Sequence, residues 1–371
     1  MRHVLFGLAL ALATFPAAAA DLVVHEWGTL TTIHAASGKP QGALNKIDAA
    51  DVLPEFVHRY EPEHTRHDPA KQFAKSPLVP GRPDVTMRLE TPVIYFHPPA
   101  GATFETPIDV DVKFRGGILN EYYPAAEPAV AVDFSRIQDK RDAGALPPRE
   151  WNFDILNNYV VSSLKWTGVR IHDTVVAPLT DNPVWTAPRD VQAGSVFVPE
   201  AGEGERYLFY RGVANLEALL QTRTSSGAVR IAAPHGLSWL EAPTMTLPGV
   251  WLADIRVDGS VAFREHGPVT IAKDKPDAEL GHLKRFAAAD YQAGGVKLLR
   301  ASLKRALLKQ GLYSDEAEAM LNTWKASYFE KPGLRVFYIV PREWTDYFLP
   351  LSVSVPARIN RAIVGRIDFA P

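Results

Sequence analysis

Ile-Asp-Val-Asp-Val-Lys-Phe-Arg, residues 108–115, alternates apolar and charged side chains without interruption. A period of two places the apolar side chains on one face of a β-strand and the charged side chains on the other. The segment therefore predicts a strand that buries one face in a core and turns the other toward water.

Further segments up to about residue 276 have the composition of strands. They are rich in β-branched and aromatic residues and lie at 22–33, 85–97, 159–166, 169–176, 207–210 and 228–232. Residues 251–265 predict a hairpin, because alternating apolar residues flank Asp258-Gly259, a dipeptide typical of two-residue turns. The 30 prolines among 371 residues interrupt the chain often, which favours short strands over long helices.

One segment near the C-terminal third has a helical pattern instead. Leu299, Leu303 and Leu307 recur every four residues, and Gly311 follows as a typical helix end. Ser314 can cap a second helix. The apolar residues of that helix share one face: Ala317, Met320, Leu321, Trp324 and Tyr328. The pattern predicts a helical hairpin that is inserted into the β unit or packed against it.

The fold prediction is a mainly β protein with one or two antiparallel, sandwich-like domains and this helical hairpin. We expect a signal peptide over 1–20, a β-rich region over 21–276, the hairpin over 277–331 and returning strands over 332–371. Residues 35–84 hold seven prolines and little periodicity. They predict a long irregular loop, which is a lid, an extended wrap or an unrecognised set of strands.

The N-terminal residues predict export. An apolar run over 4–15, then Pro16 and small residues at 17–20, is typical of a secretory signal cleaved before Asp21. No later segment reaches 18 uninterrupted apolar residues. We therefore expect a periplasmic or secreted protein with no integral membrane segment after cleavage.

Composition excludes several classes of function. The formal net charge of −2 offers no general attraction for nucleic acid, so we expect no nucleic-acid partner. The absence of cysteine excludes a thiol nucleophile and a thiolate metal site. The chain has no phosphate-binding loop and no Gly-x-Ser-x-Gly elbow, and we expect no cofactor.

Four short blocks carry a resemblance to other proteins. His25-Glu26-Trp27-Gly28-Thr29 resembles the opening of a group of uncharacterised secreted bacterial proteins, and residues 90–96, 210–212 and 364–366 are similar to further blocks of that group. The blocks are spread over nearly the whole chain after residue 20. The resemblance implies no particular activity or mechanism.

The first block contains His25-Glu26, which begins like a zinc-protease helix. That motif needs a second histidine at position 29, which is threonine, and Gly28 disfavours a helix. In a strand, His25 and Trp27 share one face and Glu26 lies on the other. Two interpretations stay open. Either Trp27 packs in the core while Glu26 pairs with an arginine, or His25 or Glu26 has a binding or catalytic role.

Carboxylates near tryptophans indicate a candidate sugar site, because indoles stack on sugar rings and carboxylates accept from hydroxyls. Glycoside hydrolysis also needs two carboxyl groups across a cleft. In strands, Trp239 would share a face with Glu241, and Trp344 with Asp346. The catalytic candidates are Glu26, Glu90, Glu241 and Asp346, together with Glu343. The binding candidates are His25, Trp27, Arg211, Trp239, Arg342 and Trp344.

Two further clusters are ambiguous. Glu90, Arg211, Arg342 and Arg366 border apolar strand sequence, so they form either a buried ion-pair network or solvated strand ends. The three most closely spaced histidines suit a transition metal, although neighbouring arginines would repel a cation; they are His58, His64 and His67.

Two hypotheses for function follow. The first is an exported, non-catalytic protein that binds a glycan, a peptide or an envelope protein. The second is a secreted hydrolase that uses carboxylates, with polysaccharide as a candidate substrate. We favour the first, because no catalytic motif is complete and strands rich in aromatic residues are typical of recognition.

Overall fold

Strands dominate the computed structural model, which describes residues 22–44, 52–60, 85–99, 104–132, 160–225 and 227–370. In chain order the strands are β1 (Leu22–His34), β2 (His58–Arg59), β3 (Met87–His97), β4 (Ile108–Arg115), β5 (Gly117–Tyr123), β6 (Glu127–Val132), β7 (Val160–His172), β8 (Ser195–Val198), β9 (Glu203–Glu205), β10 (Leu208–Ala214), β11 (Gln221–Thr224), β12 (Ala228–Ala232), β13 (Thr244–Leu247), β14 (Val250–Ile255), β15 (Val261–His266), β16 (Val269–Ala272), β17 (Glu279–Lys284), β18 (Gly333–Ile339), β19 (Leu351–Val353) and β20 (Ala357–Phe369).

The helices are short, apart from one. They are α1 (Pro183–Thr186), α2 (Gly295–Lys309), α3 (Ser314–Thr323) and α4 (Arg342–Phe348), with 3₁₀ turns at Ala187–Asp190 and Ala288–Asp290 and a π-helical turn at Ala326–Glu330. Among the described residues, no helix has the length and apolar character needed to cross a membrane.

A nine-stranded sheet forms the centre of the molecule, in the order β15-β14-β18-β20-β1-β3-β10-β5-β2. All its neighbouring strands are antiparallel except β1 and β20, which are parallel. The first and last described strands therefore lie side by side in the middle of the sheet.

The two faces of this sheet have different partners. One face packs on a second sheet, in the order β19-β4-β7-β8-β9 with β6 beside β7, and shares with it a core that includes Val24, Val110 and Trp166. The smaller sheets β11-β12-β17 and β13-β16 extend that core. We call the opposite side the helix-covered face. There Trp27 and side chains of α2 and α3 form a second core.

The predicted fold class is confirmed: the protein is mainly β, with antiparallel sheets stacked in a sandwich-like arrangement and a helical pair. β4 covers residues 108–115 with its apolar side chains buried. α2 ends before Gly311, and the predicted apolar face of α3 and the turn after it is buried. α3 begins at Ser314, although Tyr313 occupies the cap position.

Several boundaries differ from the predictions. The two strands expected at 159–166 and 169–176 are one strand, β7, which continues through Gly168. The 258–259 turn has a three-residue loop rather than two, with Gly259 at φ 79° in its last position. Residues 279–284, expected in the helical hairpin, form β17, because they complete a sheet edge on β12.

Two predicted segments lie wholly or partly outside the described residues. The signal peptide at 1–20 lies outside them, as do residues 45–51 and 61–84 of the expected loop. The described part of that loop includes β2, which pairs with β5 at the edge of the nine-stranded sheet.

Candidate functional sites

A bulge in β3 decides which of its side chains reach the helix-covered face. Pairing with β1 shows one extra residue in β3 between Glu90 and Val93. Thr91 in the bulge has a φ of 47°. The backbone of Pro92 comes so close to β1 that a Cβ at Gly28 would lie 2.9 Å from its Cα. Glycine at position 28 is therefore a requirement of this contact.

The extra residue shifts the alternation of β3 by one. As a result, Arg88 and Glu90 before the bulge and Tyr95 and His97 after it all contact residues of the helix-covered face. Two polar clusters form, one at each end of this face, with aromatic core between them.

The first cluster surrounds a cavity of about 580 Å³, which we call the charged cavity. Its sheet side is formed by β1, β3 and β20, and its other side by α1, the end of α3 and the π-helical turn. Five charged residues line it: Arg88, Glu90, Lys331, Arg366 and Asp368. Lys331 is exposed, so the cavity reaches the protein surface there.

Glu90 is the most deeply buried charge of the cavity, at 1% exposure. Its carboxylate accepts a hydrogen bond from Thr31 Oγ1 at 2.7 Å and lies 3.2 Å from Arg88 Nε. Burial would raise the pKa of Glu90, but the charges of Arg88 and Arg366, the Thr31 hydrogen bond and the charge of Arg211 lower it below the usual value. Glu90 is therefore an ionised carboxylate within a cationic wall.

Asp368 and Trp324 also line the cavity. Asp368 lies 3.4 Å from Arg366 Nε and 3.7 Å from Arg335 Nε. Its buried Oδ1 accepts no hydrogen bond from the described residues, and the indole N–H of the buried Trp324 has no acceptor among them. Buried polar atoms normally have partners, so these two atoms are exceptions within the described chain.

The second cluster, which we call the histidine cluster, consists of His25, His97 and Glu316. His25 Nδ1 lies 2.7 Å from Glu316 Oε2, and His97 Nε2 lies 3.0 Å from Glu316 Oε1. One ligand atom from each of the three lies within 4.8 Å of the others. The ring of Tyr313 packs on both imidazoles, with centroids 4.6 and 4.8 Å away.

Glu316 is held from several sides. It is the third residue of α3, and its Oε2 also accepts the backbone N–H of Tyr313 at 2.6 Å. Burial would raise the pKa of Glu316, but hydrogen bonds from His25 and His97 lower it. Asn360 on β20 donates to His25 Nε2 at 2.9 Å, which orients that ring.

Glu26 lies on the other face of the sheet, as the strand pattern predicts. It is fully buried, with its Oε2 2.5 Å from Arg361 Nε, and it accepts a hydrogen bond from the Tyr210 hydroxyl. Trp27 is buried in the core. Of the two interpretations of this motif, packing for Trp27 and an arginine partner for Glu26 match the structure, whereas His25 belongs to the histidine cluster.

The carboxylate and tryptophan candidates near the C-terminus do not form a sugar cleft. Trp344 and Asp346 lie on α4, not on a strand; Trp344 is buried, and Asp346 binds Arg342 and Arg361. Arg361 joins Asp346 to Glu26, but Glu26 is inaccessible.

The remaining candidates are dispersed. Trp239 packs on Tyr347, with ring centroids 5.4 Å apart, and Glu241 and Glu343 are exposed. Arg211 lies 3.5 Å from Glu121. His58 is 3.0 Å from Glu203, whereas His64 and His67 lie outside the described residues.

A second cavity, of about 530 Å³, lies near residues 37–40 and 215–223. Glu217 lines it, but its carboxylate already accepts hydrogen bonds from Gln221 and from the backbone of His235 and Gly236. This cavity therefore offers less unsatisfied polar chemistry than the charged cavity.

Sequence reasoning missed the residues that complete both clusters. His97 and Glu316 are 219 positions apart, and Glu90 and Asp368 are also distant in sequence, so no local spacing connects them. Two signals found part of them: charged residues that border strongly apolar strand sequence singled out Glu90 and Arg366, and the His25-Glu26 pair singled out His25.

Comparison with known protein families found no match to this chain, and comparison with curated proteins found none either.

Proposed function

We propose that this protein binds a small, hydroxylated ligand with a carboxylate group, of the sugar-acid type, in the charged cavity. The observation that carries the proposal is a 580 Å³ cavity in which a buried carboxylate, Glu90, sits beside Arg88 and Arg366. Cavities of this size are typical of small-molecule sites.

The charge of the lining favours an anionic ligand. Three cations and two carboxylates line the cavity, which leaves one net positive charge. A guanidinium can bind a carboxylate through two parallel hydrogen bonds, and Arg88 and Arg366 both line the sheet side of the cavity.

The carboxylates of the cavity favour hydroxyl groups on the same ligand. Glu90 and Asp368 both line the cavity, and a carboxylate oxygen can accept a hydrogen bond from a ligand hydroxyl. Apolar side chains of Ile33, Leu44 and Val184 complete the lining and suit the C–H faces of a sugar ring. This chemistry agrees with the glycan ligand and the export that the sequence predicts, and both remain part of the proposal.

Calorimetric titration and thermal melting test the proposal. The probes are D-glucuronate, D-galacturonate and D-gluconate, and D-glucose is the uncharged control. We expect at least one acid to bind and to raise the melting temperature, while glucose does neither. Absence of binding by all three acids at millimolar concentration would reject the proposal, and so would equal binding of glucose.

Two variants locate the binding. Arg366→Lys and Arg88→Lys each keep the charge of a cavity residue but remove its planar pair of donors. Each should weaken binding of the acid about tenfold or more. Arg358→Met, an exposed arginine of the same strand as Arg366, is the matched control and should bind like the unaltered protein. Unchanged affinity in both cavity variants would place the ligand elsewhere.

A further inference from the structure

We infer that the histidine cluster is a binding site for a divalent transition-metal ion of the Zn²⁺ type, with His25, His97 and Glu316 as ligands. Two imidazoles and one carboxylate are a ligand set that zinc uses in proteins. This inference is independent of the proposed function, because Glu90 and His97 are seven residues apart on β3, about 20 Å at the usual rise of a strand.

The distances suit a shared ion. Zinc–nitrogen and zinc–oxygen bonds are about 2.0–2.2 Å long, so two ligands at a tetrahedral angle lie about 3.3 Å apart. His25 Nδ1 and His97 Nε2 lie 2.7 and 3.0 Å from the two oxygens of Glu316. With all three ligand atoms within 4.8 Å of one another, ring movements of under about 1 Å would bring them to one ion.

The cluster is built on rigid elements. His25 and His97 belong to β1 and β3 of the central sheet, and Glu316 belongs to the first turn of α3. The backbone N–H of Tyr313 and the side chain of Asn360 already hold two of the three ligands in place. Such outer contacts orient metal ligands and increase affinity.

One side of the cluster faces outward. The His97 side chain is 10% exposed and Tyr313 is 42% exposed, whereas His25 and Glu316 are buried. Three protein ligands with an accessible side leave room for water as the fourth ligand, which is the arrangement of open zinc sites.

Binding requires a proton to move within His25. Without a metal ion, Nδ1 carries the proton and donates it to Glu316, while Nε2 accepts from Asn360. For Nδ1 to bind the ion, the proton must move to Nε2, and the Asn360 amide must turn its oxygen toward that atom. The Nε2 proton of His97, which is donated to Glu316, must likewise move to Nδ1 before His97 Nε2 can bind the ion.

The tautomer change of His25 provides a specific test. Asn360→Asp replaces the amide with a carboxylate that accepts the Nε2 proton, so it should favour the metal-binding tautomer and tighten Zn²⁺ binding about tenfold or more. A cluster with only a structural role predicts no gain in metal affinity for this variant.

The experiment uses the full chain, purified without a histidine tag and stripped with a chelator. Zn²⁺ affinity is measured by calorimetry with a competing chelator, and the visible absorption of bound Co²⁺ reports the coordination. We expect one ion per chain, a loss of at least about tenfold in affinity for His97→Gln and Glu316→Gln, and no loss for His58→Gln. His58 has a single glutamate partner and is the matched control.

The results that would overturn the inference are equally direct. They are no uptake of Zn²⁺ or Co²⁺ at neutral pH, unchanged affinity in His97→Gln, or an equal loss in His58→Gln. Circular dichroism and melting temperature check that each variant is folded. If Glu316→Gln does not fold, His97→Gln tests the inference by itself, because the His97 side chain is partly exposed.

Discussion

Glu26 shows how a single buried residue fixes the register of two strands. It lies directly opposite Arg361 in the parallel pair β1–β20, and the two side chains bond on the face opposite the helices. Burial would lower the pKa of Arg361, but the charge of Glu26 raises it above the usual value. A shift of one residue would separate the two charges in the core, which is strongly unfavourable.

His34 is a buried histidine without a carboxylate partner among the described residues. Its Nδ1 lies 2.8 Å from Thr222 Oγ1, and its Nε2 has no hydrogen-bond partner in the described chain. Burial lowers the pKa of His34 from 6.5 to about 4. The folded protein therefore holds this imidazole neutral at pH values where the unfolded chain protonates it.

This shift predicts an acid dependence of stability. The unfolded state binds more protons than the folded state between pH 6.5 and pH 4. The free energy of unfolding that is present in full above pH 6.5 therefore falls as the pH is lowered to about 4. The loss amounts to about 3 kcal/mol. In His34→Gln, the free energy of unfolding, measured with urea across this pH range, should change less with pH than it does in the unaltered protein.

The exposed His172 provides the control. His172→Gln should leave the pH dependence of unfolding as it is in the unaltered protein. Equal slopes for His34→Gln and the unaltered protein would show that His34 does not cause the acid sensitivity.

At the scale of elements, the sequence was informative wherever one face of a segment is buried. Period-two alternation located β4, and leucines four residues apart located α2, because each pattern reflects a single buried face. It was less informative for α4, a seven-residue helix between strands, because so short a segment has less than two full turns of pattern.

The polar clusters depend on long-range pairing, which explains why sequence reasoning found only part of each. The strand pattern placed His25 and Trp27 on one face, as observed. It could not place Glu90 on that same face, because the bulge at Thr91 changes the alternation of β3. Nor does any local pattern state that α3 brings Glu316 to β1.

The close contact at the bulge predicts that replacement of Gly28 by a larger residue lowers the stability of the fold. In Gly28→Ala the new Cβ would lie 2.9 Å from Pro92 Cα. The backbone of β1 or β3 would have to move to relieve this contact. We expect a loss of about 1–3 kcal/mol in the free energy of unfolding, measured with urea. Gly227→Ala is the control, because a Cβ there would have no atom of the described chain within 4 Å beyond its immediate neighbours, and it should be neutral or slightly stabilising. Similar stabilities for the two variants would contradict the tight contact at the bulge.

At the scale of the whole molecule, the two ends of the described chain meet in the central sheet. β20 bonds to β1 on one side and to β18 on the other, and its side chains reach both cores. Asp368, Arg366 and Asn360 also bring it to both polar clusters. The last strand is thus an interior element of the fold, and the sheet has no continuous centre without it.

We therefore expect a chain that ends at Pro356, and so lacks β20, to lose cooperative unfolding. Removal of this strand takes one neighbouring strand from each of β1 and β18 and leaves Glu26 buried without Arg361. Together these losses exceed the free energy of unfolding of a domain of ordinary stability. Near-ultraviolet circular dichroism and urea unfolding measure the outcome. A chain that ends at Phe369 is the control, because it keeps all of β20; among the contacts of the described residues it gives up the Ala370 hydrogen bond to His34, worth about 1 kcal/mol. If the shorter chain still unfolded cooperatively, with the same dependence on urea as the control, the sheet would have to be stable as two separate halves, and the parallel pair could not be what joins them.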